Sequence, residues 1–215
     1  MLAHINFSKD LVYQTSIALL LFIIGFLFVF EGSFFTETQK SDITNMRGGT
    51  YIRLVYIGSS GCSFSNNKRT HQMVKSIKKF TKDFVHQEGY KFLSTGIAQD
   101  KLAFQGINFL QKSGPYDEII AGGSWYNLGL FQYVWDTLPG IALTPQILLT
   151  LSEFRIVSAG EQIGNIKRNE ILLKRFKGIK AIENLQKVVE ENDLNKFKKT
   201  INLESKIDSL LSVNL

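Results

Sequence analysis

Cys62 is the single cysteine among 215 residues, and it stands directly after Gly58-Ser59-Ser60-Gly61. A lone thiol cannot close an internal disulfide or build a cysteine-rich metal cluster, so exchange with an outside thiol or disulfide is the chemistry open to it. The reactive species is the thiolate, which forms more readily where unpaired amides at a helix start favour the anion. The flanking residues predict that setting. Tyr51-Ile52-Arg53-Leu54-Val55-Tyr56-Ile57 is a β-branched and aromatic run that reads as a buried strand closed by the glycine-serine turn. Beyond the cysteine, Met73, Val74, Ile77, Phe80 and Phe84 recur at helical spacing with Lys68, Arg69, Lys75, Lys78, Lys79 and Lys82 between them, the pattern of an amphipathic helix. Cys62 is therefore expected at a helix N-terminus, with Lys68 and Arg69 adding weak positive potential. A packed, inert thiol is the competing reading.

The three histidines do not complete a site. His71 lies nine residues after Cys62, on the opposite side of a continuous helix, and reads as a surface or boundary residue rather than a base for the thiol. His4 and His86 are remote in sequence, and with one cysteine they give no metal-ligand spacing, so neither metal nor cofactor is expected.

Further elements must hold the cysteine in place. Tyr90 to Ala98 predicts a second strand, Leu102 to Leu110 a helix, and Asp117 to Ile120 a short strand before the glycine-rich 121–124. Phe131, Val134 and Trp135 suggest a short helix. Gln146 to Leu151 and Phe154 to Val157 predict two strands joined by a hairpin-like turn at Ser152-Glu153, with a charged helix from about Asn165. Ile182, Leu185, Val188, Val189, Leu194, Phe197 and Ile201 then sit at helical spacing among charges. The fold class is α/β.

The segments Leu54-Val55-Tyr56-Ile57-Gly58-Ser59-Ser60-Gly61-Cys62-Ser63-Phe64-Ser65 and Thr144-Pro145-Gln146-Ile147-Leu148-Leu149, in this order of elements, resemble the thioredoxin-like fold. With an inserted strand and helix and an N-terminal apolar segment, the chain looks most like the membrane-tethered thiol-disulfide oxidoreductases of the TlpA/ResA type. The resemblance implies that Cys62 is the nucleophile and that the Thr144-Pro145 peptide is cis and faces it. By the same resemblance Phe64, Thr144 and Pro145 contact the substrate. A strand-entry proline of ordinary trans geometry is the alternative for Pro145. The family motif is Cys-x-x-Cys, whereas Ser65 holds the second position here. A hydroxyl cannot receive a disulfide, so an internal redox cycle is excluded, while monothiol exchange or isomerisation with an external resolving thiol survives. Ser65 can instead donate a hydrogen bond to the thiolate. The acidic helpers of such families are also missing: Lys68 and Tyr56 occupy their positions. A redox-inactive scaffold that binds or assembles with a protein partner is the second functional reading. The aromatic segment Tyr126, Phe131, Tyr133 and Trp135, or the C-terminal helix, would supply its surface.

From Leu11 to Phe30 the chain carries no charge, long enough at helical rise to cross the hydrocarbon, so 11–30 reads as a transmembrane anchor in contact with membrane lipid. A cleaved signal peptide fits less well, because Val29-Phe30-Glu31-Gly32-Ser33 lacks a small-residue cleavage site. The expected organisation is a tail over 1–10, the anchor, a tether over 31–49, a thioredoxin-like domain over 50–178 and a C-terminal amphipathic helical extension over 179–215. The resemblance implies a single-pass protein whose domain lies outside the cytoplasm, with a client protein or small thiol as partner. The net charge of +6 suits either solvated lysines or an anionic partner. No zinc-finger spacing, RNP-like run or phosphate loop accompanies it, so nucleic acid is not expected.

Overall fold

The computed structural model describes residues 48–159 and 162–206, with side chains outside 155–168. The apolar segment at 11–30 lies outside these residues. Among the described residues no helix is long and apolar enough to cross a membrane.

The chain forms an α/β fold on a mixed five-stranded sheet. Strand β1 (Gly49–Gly58) is followed by helix α1 (Lys68–Gln87), β2 (Lys91–Ala98), α2 (Ala103–Gln111) and the short β3 (Glu118–Ile120). A 3-10 turn (Ser124–Tyr126), a helical turn (Leu128–Leu130) and a π turn (Phe131–Trp135) lead to β4 (Gln146–Ala159) and β5 (Gln162–Lys177). Helices α3 (Gly178–Glu190) and α4 (Leu194–Thr200) follow. The sheet order is β3-β2-β1-β4-β5, with β1, β2 and β3 parallel and β4 antiparallel to both its neighbours.

Being central and covered on both faces, β1 is a nearly continuous apolar run. Its alternation divides the core. Ile52, Leu54 and Tyr56 face a cluster built with Met73, Val74, Ile77 and Phe84 of α1, Phe109 and Leu110 of α2, and Ile182 and Leu185 of α3. Val55 and Ile57 face the other way, onto Leu130, Tyr133 and Val134 of the irregular helical segment. Asn67 caps α1 by accepting the Arg69 amide at 2.8 Å, and the helix stops before Gly89, whose φ of 77° suits glycine. Phe197 of α4 packs edge-on against Phe80 and Phe84, so the segment after Gly178 shares the core of the sheet.

Two expectations from the sequence are corrected here. Ser152-Glu153 is not a turn: β4 runs through it unbroken, with a register irregularity at Glu153/Phe154, because Ser152 is buried and bonds Glu170 across the pair. The charged stretch from Asn165 is strand rather than helix. Its pairing with β4 extends from Ala159↔Gln162 to Gln146↔Lys177, and this long ladder overrides a weak helical pattern.

Topology then sets up a crevice. β1 leaves the sheet at Gly58, while its antiparallel neighbour β4 enters at Gln146, directly opposite Ile57. The residues after β1 and those before β4 must therefore meet at the carboxyl ends of the parallel strands, where open α/β sheets place their sites.

Candidate functional site around Cys62

Gly58 is required at the exit of β1: a Cβ there would lie 2.6 Å from the Phe109 ring and 2.8 Å from the Tyr56 hydroxyl. The loop beyond is held from several sides. Gly58 O accepts the Gln99 amide at 2.8 Å, and the Asp100 carboxylate accepts the Ser60 amide at 3.2 Å together with the Ser60 hydroxyl. Asn66 Nδ2 donates to Ser60 O at 3.0 Å, Lys112 Nζ to Asn66 Oδ1 at 2.8 Å, and Thr70 Oγ1 to Phe64 O at 2.7 Å. Asp100 stands outside the residues expected at the site. Its only signal was a polar Gln-Asp pair directly after an apolar strand.

Cys62 begins an isolated helical turn, closed by the Asn66 amide donating to Cys62 O at 2.8 Å. The expected placement at a helix N-terminus is thus corrected: α1 starts at Lys68, six residues on. A macrodipole acts within the first turn of its helix, so the amides of the local turn matter more than those of α1. Lys68 is exposed and Arg69 is drawn to Glu183 at 3.3 Å, so neither is dedicated to the sulfur.

The half-buried thiol donates to Thr144 O at 3.5 Å, and the Thr144-Pro145 peptide is cis. Cys62, Thr144 and Pro145 are thus brought together. Phe64, in the same turn as the sulfur, is 60% exposed, while Ser65 is fully buried. Partial burial pushes the Cys62 thiol up, whereas Ser65, Thr144 and the amides of Ser65 and Phe64 pull it down, for a net direction below the ordinary thiol value. The Ser65 hydroxyl has no partner at hydrogen-bonding geometry, so its pull on the sulfur is that of a nearby dipole rather than a formed bond.

Beneath the loop lies a second unpartnered hydroxyl. Tyr56 OH is fully buried, and burial holds its pKa well above the ordinary tyrosine value, with Tyr116 and Cys62 adding to the rise. It is a neutral donor and cannot act as a base. His71 is neither the surface nor the boundary residue that the sequence suggested. It is 6% exposed, meets Phe109 edge-on at 5.3 Å, and neither ring nitrogen has a partner. Burial, then Lys112 and Lys75, lower its pKa and keep it neutral. The shift follows from α1 being packed on α2 as well as on the sheet, which helical spacing alone does not reveal.

The aromatic segment divides between core and surface. Tyr133 is buried, whereas Tyr126, Phe131 and Trp135 are exposed, with Trp135 Nε1 donating to Trp125 O at 3.0 Å. The loop from there to Thr144 is tied to the sheet. Arg175 donates to Tyr133 O at 3.0 Å, Leu138 O at 2.6 Å and Gln146 Oε1 at 3.1 Å, and Gln146 Nε2 donates to Ile141 O at 2.9 Å and to Leu143 O at 2.5 Å.

Among the described residues no group of three or more His, Cys, Asp or Glu side chains is placed to hold a metal. No protein-family model matches the chain, and no curated protein or solved structure matches it either.

Proposed function

We propose that this chain is a membrane-anchored, thioredoxin-like protein in which Cys62 carries out monothiol thiol-disulfide exchange or isomerisation. One observation supports the reading above others: the sulfur lies at the mouth of the crevice beside the cis Thr144-Pro145 peptide, where its partial burial is outweighed by the Ser65 and Thr144 side chains and the Ser65 and Phe64 amides, which lower its pKa. The Cys62 thiolate attacks one sulfur of a client disulfide, a mixed disulfide forms, and the client's other sulfur leaves as a thiolate. Ser65 cannot attack that adduct. An external thiolate, or a second thiol of the client, displaces Cys62 and regenerates it, so no net oxidant is needed for isomerisation. The exposed Phe64 beside the sulfur offers an apolar contact to the client. The uncharged stretch at 11–30 supports the anchor, and the resemblance supports an extracytoplasmic domain, which a C-terminal topology reporter checks.

The test is the rate of Cys62 alkylation in the full chain as a function of pH. The expected inflection falls below the ordinary thiol value of about 8.5. An inflection at or above that value overturns the reading.

A redox-inactive binding module is the second reading, favoured by one observation: Tyr126 is 90% exposed, with Leu128, Phe131, Trp135 and Ile141 also exposed nearby in sequence. If Cys62→Ala leaves the cellular phenotype intact while polar substitution at Tyr126 and Phe131 abolishes it, this reading replaces the first.

A further inference from the structure

On α1, away from the cysteine loop, Lys75, Lys78, Lys79 and Lys82 project within about 100° of arc. Their spacings are three or four residues, so each meets like charge along the helix, an arrangement that destabilises an isolated helix. Asp83 is the one acidic residue on α1, and among the described residues none of the four lysines makes an ion pair with a carboxylate. The charge is concentrated at a cavity of about 410 Å³ lined by these four lysines together with Phe92, Ser94, Gly114, Pro115, Tyr116 and Asp117.

The floor of the cavity is built rather than incidental. Lys78 is 8% exposed, and its ammonium donates to Ser113 O at 2.7 Å and Pro115 O at 2.5 Å while lying 3.8 Å from the centre of the Tyr116 ring. The Tyr116 hydroxyl bonds Ser113 Oγ at 2.7 Å, and its ring lies flush on β2 because residue 96 is glycine. Lys75, Lys79 and Lys82 are exposed around this floor. The Asp117 carboxylate lines it as well, with Oδ2 held by the Ser94 amide and hydroxyl, each at 2.7 Å, and Oδ1 not engaged by either.

From this we infer that the cavity binds a polyol phosphate, its phosphate met by the lysines of α1 and a hydroxyl by Asp117. A bare anion would be repelled by Asp117 and would leave the Phe92, Pro115 and Tyr116 surfaces wet. A neutral sugar would leave the lysine charge unanswered. A phosphate carried on a hydroxylated body satisfies both walls. That chemistry occurs in soluble sugar phosphates and in glycerophosphate lipid headgroups. The inference does not depend on the thiol reading.

Residue-resolved lysine acetylation by a soluble active ester, applied to the full chain in neutral detergent, tests it and separates the two sources. One arm adds glucose 6-phosphate with glucose as control; the other dopes the micelles with phosphatidylglycerol, with phosphatidylcholine as control. The expected result is that acetylation of Lys75, Lys79 and Lys82 slows about threefold when a probe is added at twice its dissociation constant, while that of Lys199 does not change. The phosphate-bearing diol probe of at least one arm should produce this effect and its control should not. Lys79→Glu, which turns the Lys75 and Lys82 pairings on α1 from like to opposite charge against one new like-charge pairing with Asp83 and so leaves the helix close to neutral, abolishes the protection at Lys75 and Lys82. Equal acetylation in both arms, slowing by the controls as well, or protection that survives Lys79→Glu overturns the inference.

Discussion

On one face of β1, the Arg53 guanidinium meets Glu118 Oε2 at 2.5 Å and Thr95 Oγ1 at 3.1 Å, and its Nε lies 3.7 Å from Glu170 Oε1. Glu170, whose side chain is fully buried, accepts in addition from Thr150 at 2.7 Å, from Ser152 and Tyr133 at 3.1 Å, and from Gln132 at 2.6 Å. On the other face, Tyr56 OH, Ser65 Oγ and both nitrogens of His71 are buried without a hydrogen bond of good geometry, against Arg53 Nε alone in the first cluster. The first cluster ties five strands and the irregular segment into one unit, and its charges are met nearly group for group. In the second, the Tyr56 and Ser65 hydroxyls lie close enough to the cysteine to act on it electrostatically, while His71 packs against Phe109. Buried polar groups are normally paired, so the concentration of unpaired groups on the cysteine side is the more unusual of the two arrangements.

Breaking the paired side carries the largest expected effect. Arg53→Met leaves Glu170 buried with its counter-ion gone and should cost about 3–5 kcal/mol in denaturant unfolding. Tyr133→Phe removes one donor to the same carboxylate, for an expected loss of about 1.5–3 kcal/mol. Tyr56→Phe makes the same change on the unpaired side. Its hydroxyl has no bond to lose, so stability should hold within about 0.5 kcal/mol or rise. A loss equal to that of Tyr133→Phe would erase the contrast. The smallest effect concerns pH. The pKa of His71 is lowered in the fold, so the unfolded chain binds the proton first as pH falls below about 6.5, and stability declines from there down to the folded pKa. His71→Leu should flatten that part of the stability profile between pH 7 and 5.

Local pattern carried much of the architecture. β1, β2, β3 and α2 fall within a residue or two of where apolar runs and turn residues predict them. Thr144-Pro145 does stand beside Cys62, because two short motifs lie at one end of neighbouring strands. What failed was whatever depends on a distant partner. Ser152-Glu153 looks like a turn until Glu170 is placed across from it, and 162–177 reads as a charged helix until β4 is seen to pair along its length. His71 and Lys78 carry polar labels in sequence, yet both are buried by packing of α1 on the segment that follows β2. The helix start at Lys68 instead of Cys62 was hidden because Asn67 as a cap gives no stronger sequence signal than the serines before it.

The anchoring of the 133–143 loop has a mechanical result. Thr144 is suspended from Gln146 and, through Arg175, from the outermost strand, whereas Cys62 is mounted on the central one and braced by Asp100. The two sides of the crevice therefore belong to different girders of the sheet. A load applied to β5 reaches the carbonyl side first, and because Thr144 is one of the sulfur's own partners, a change in the width of the entrance also changes the acidity of the thiol.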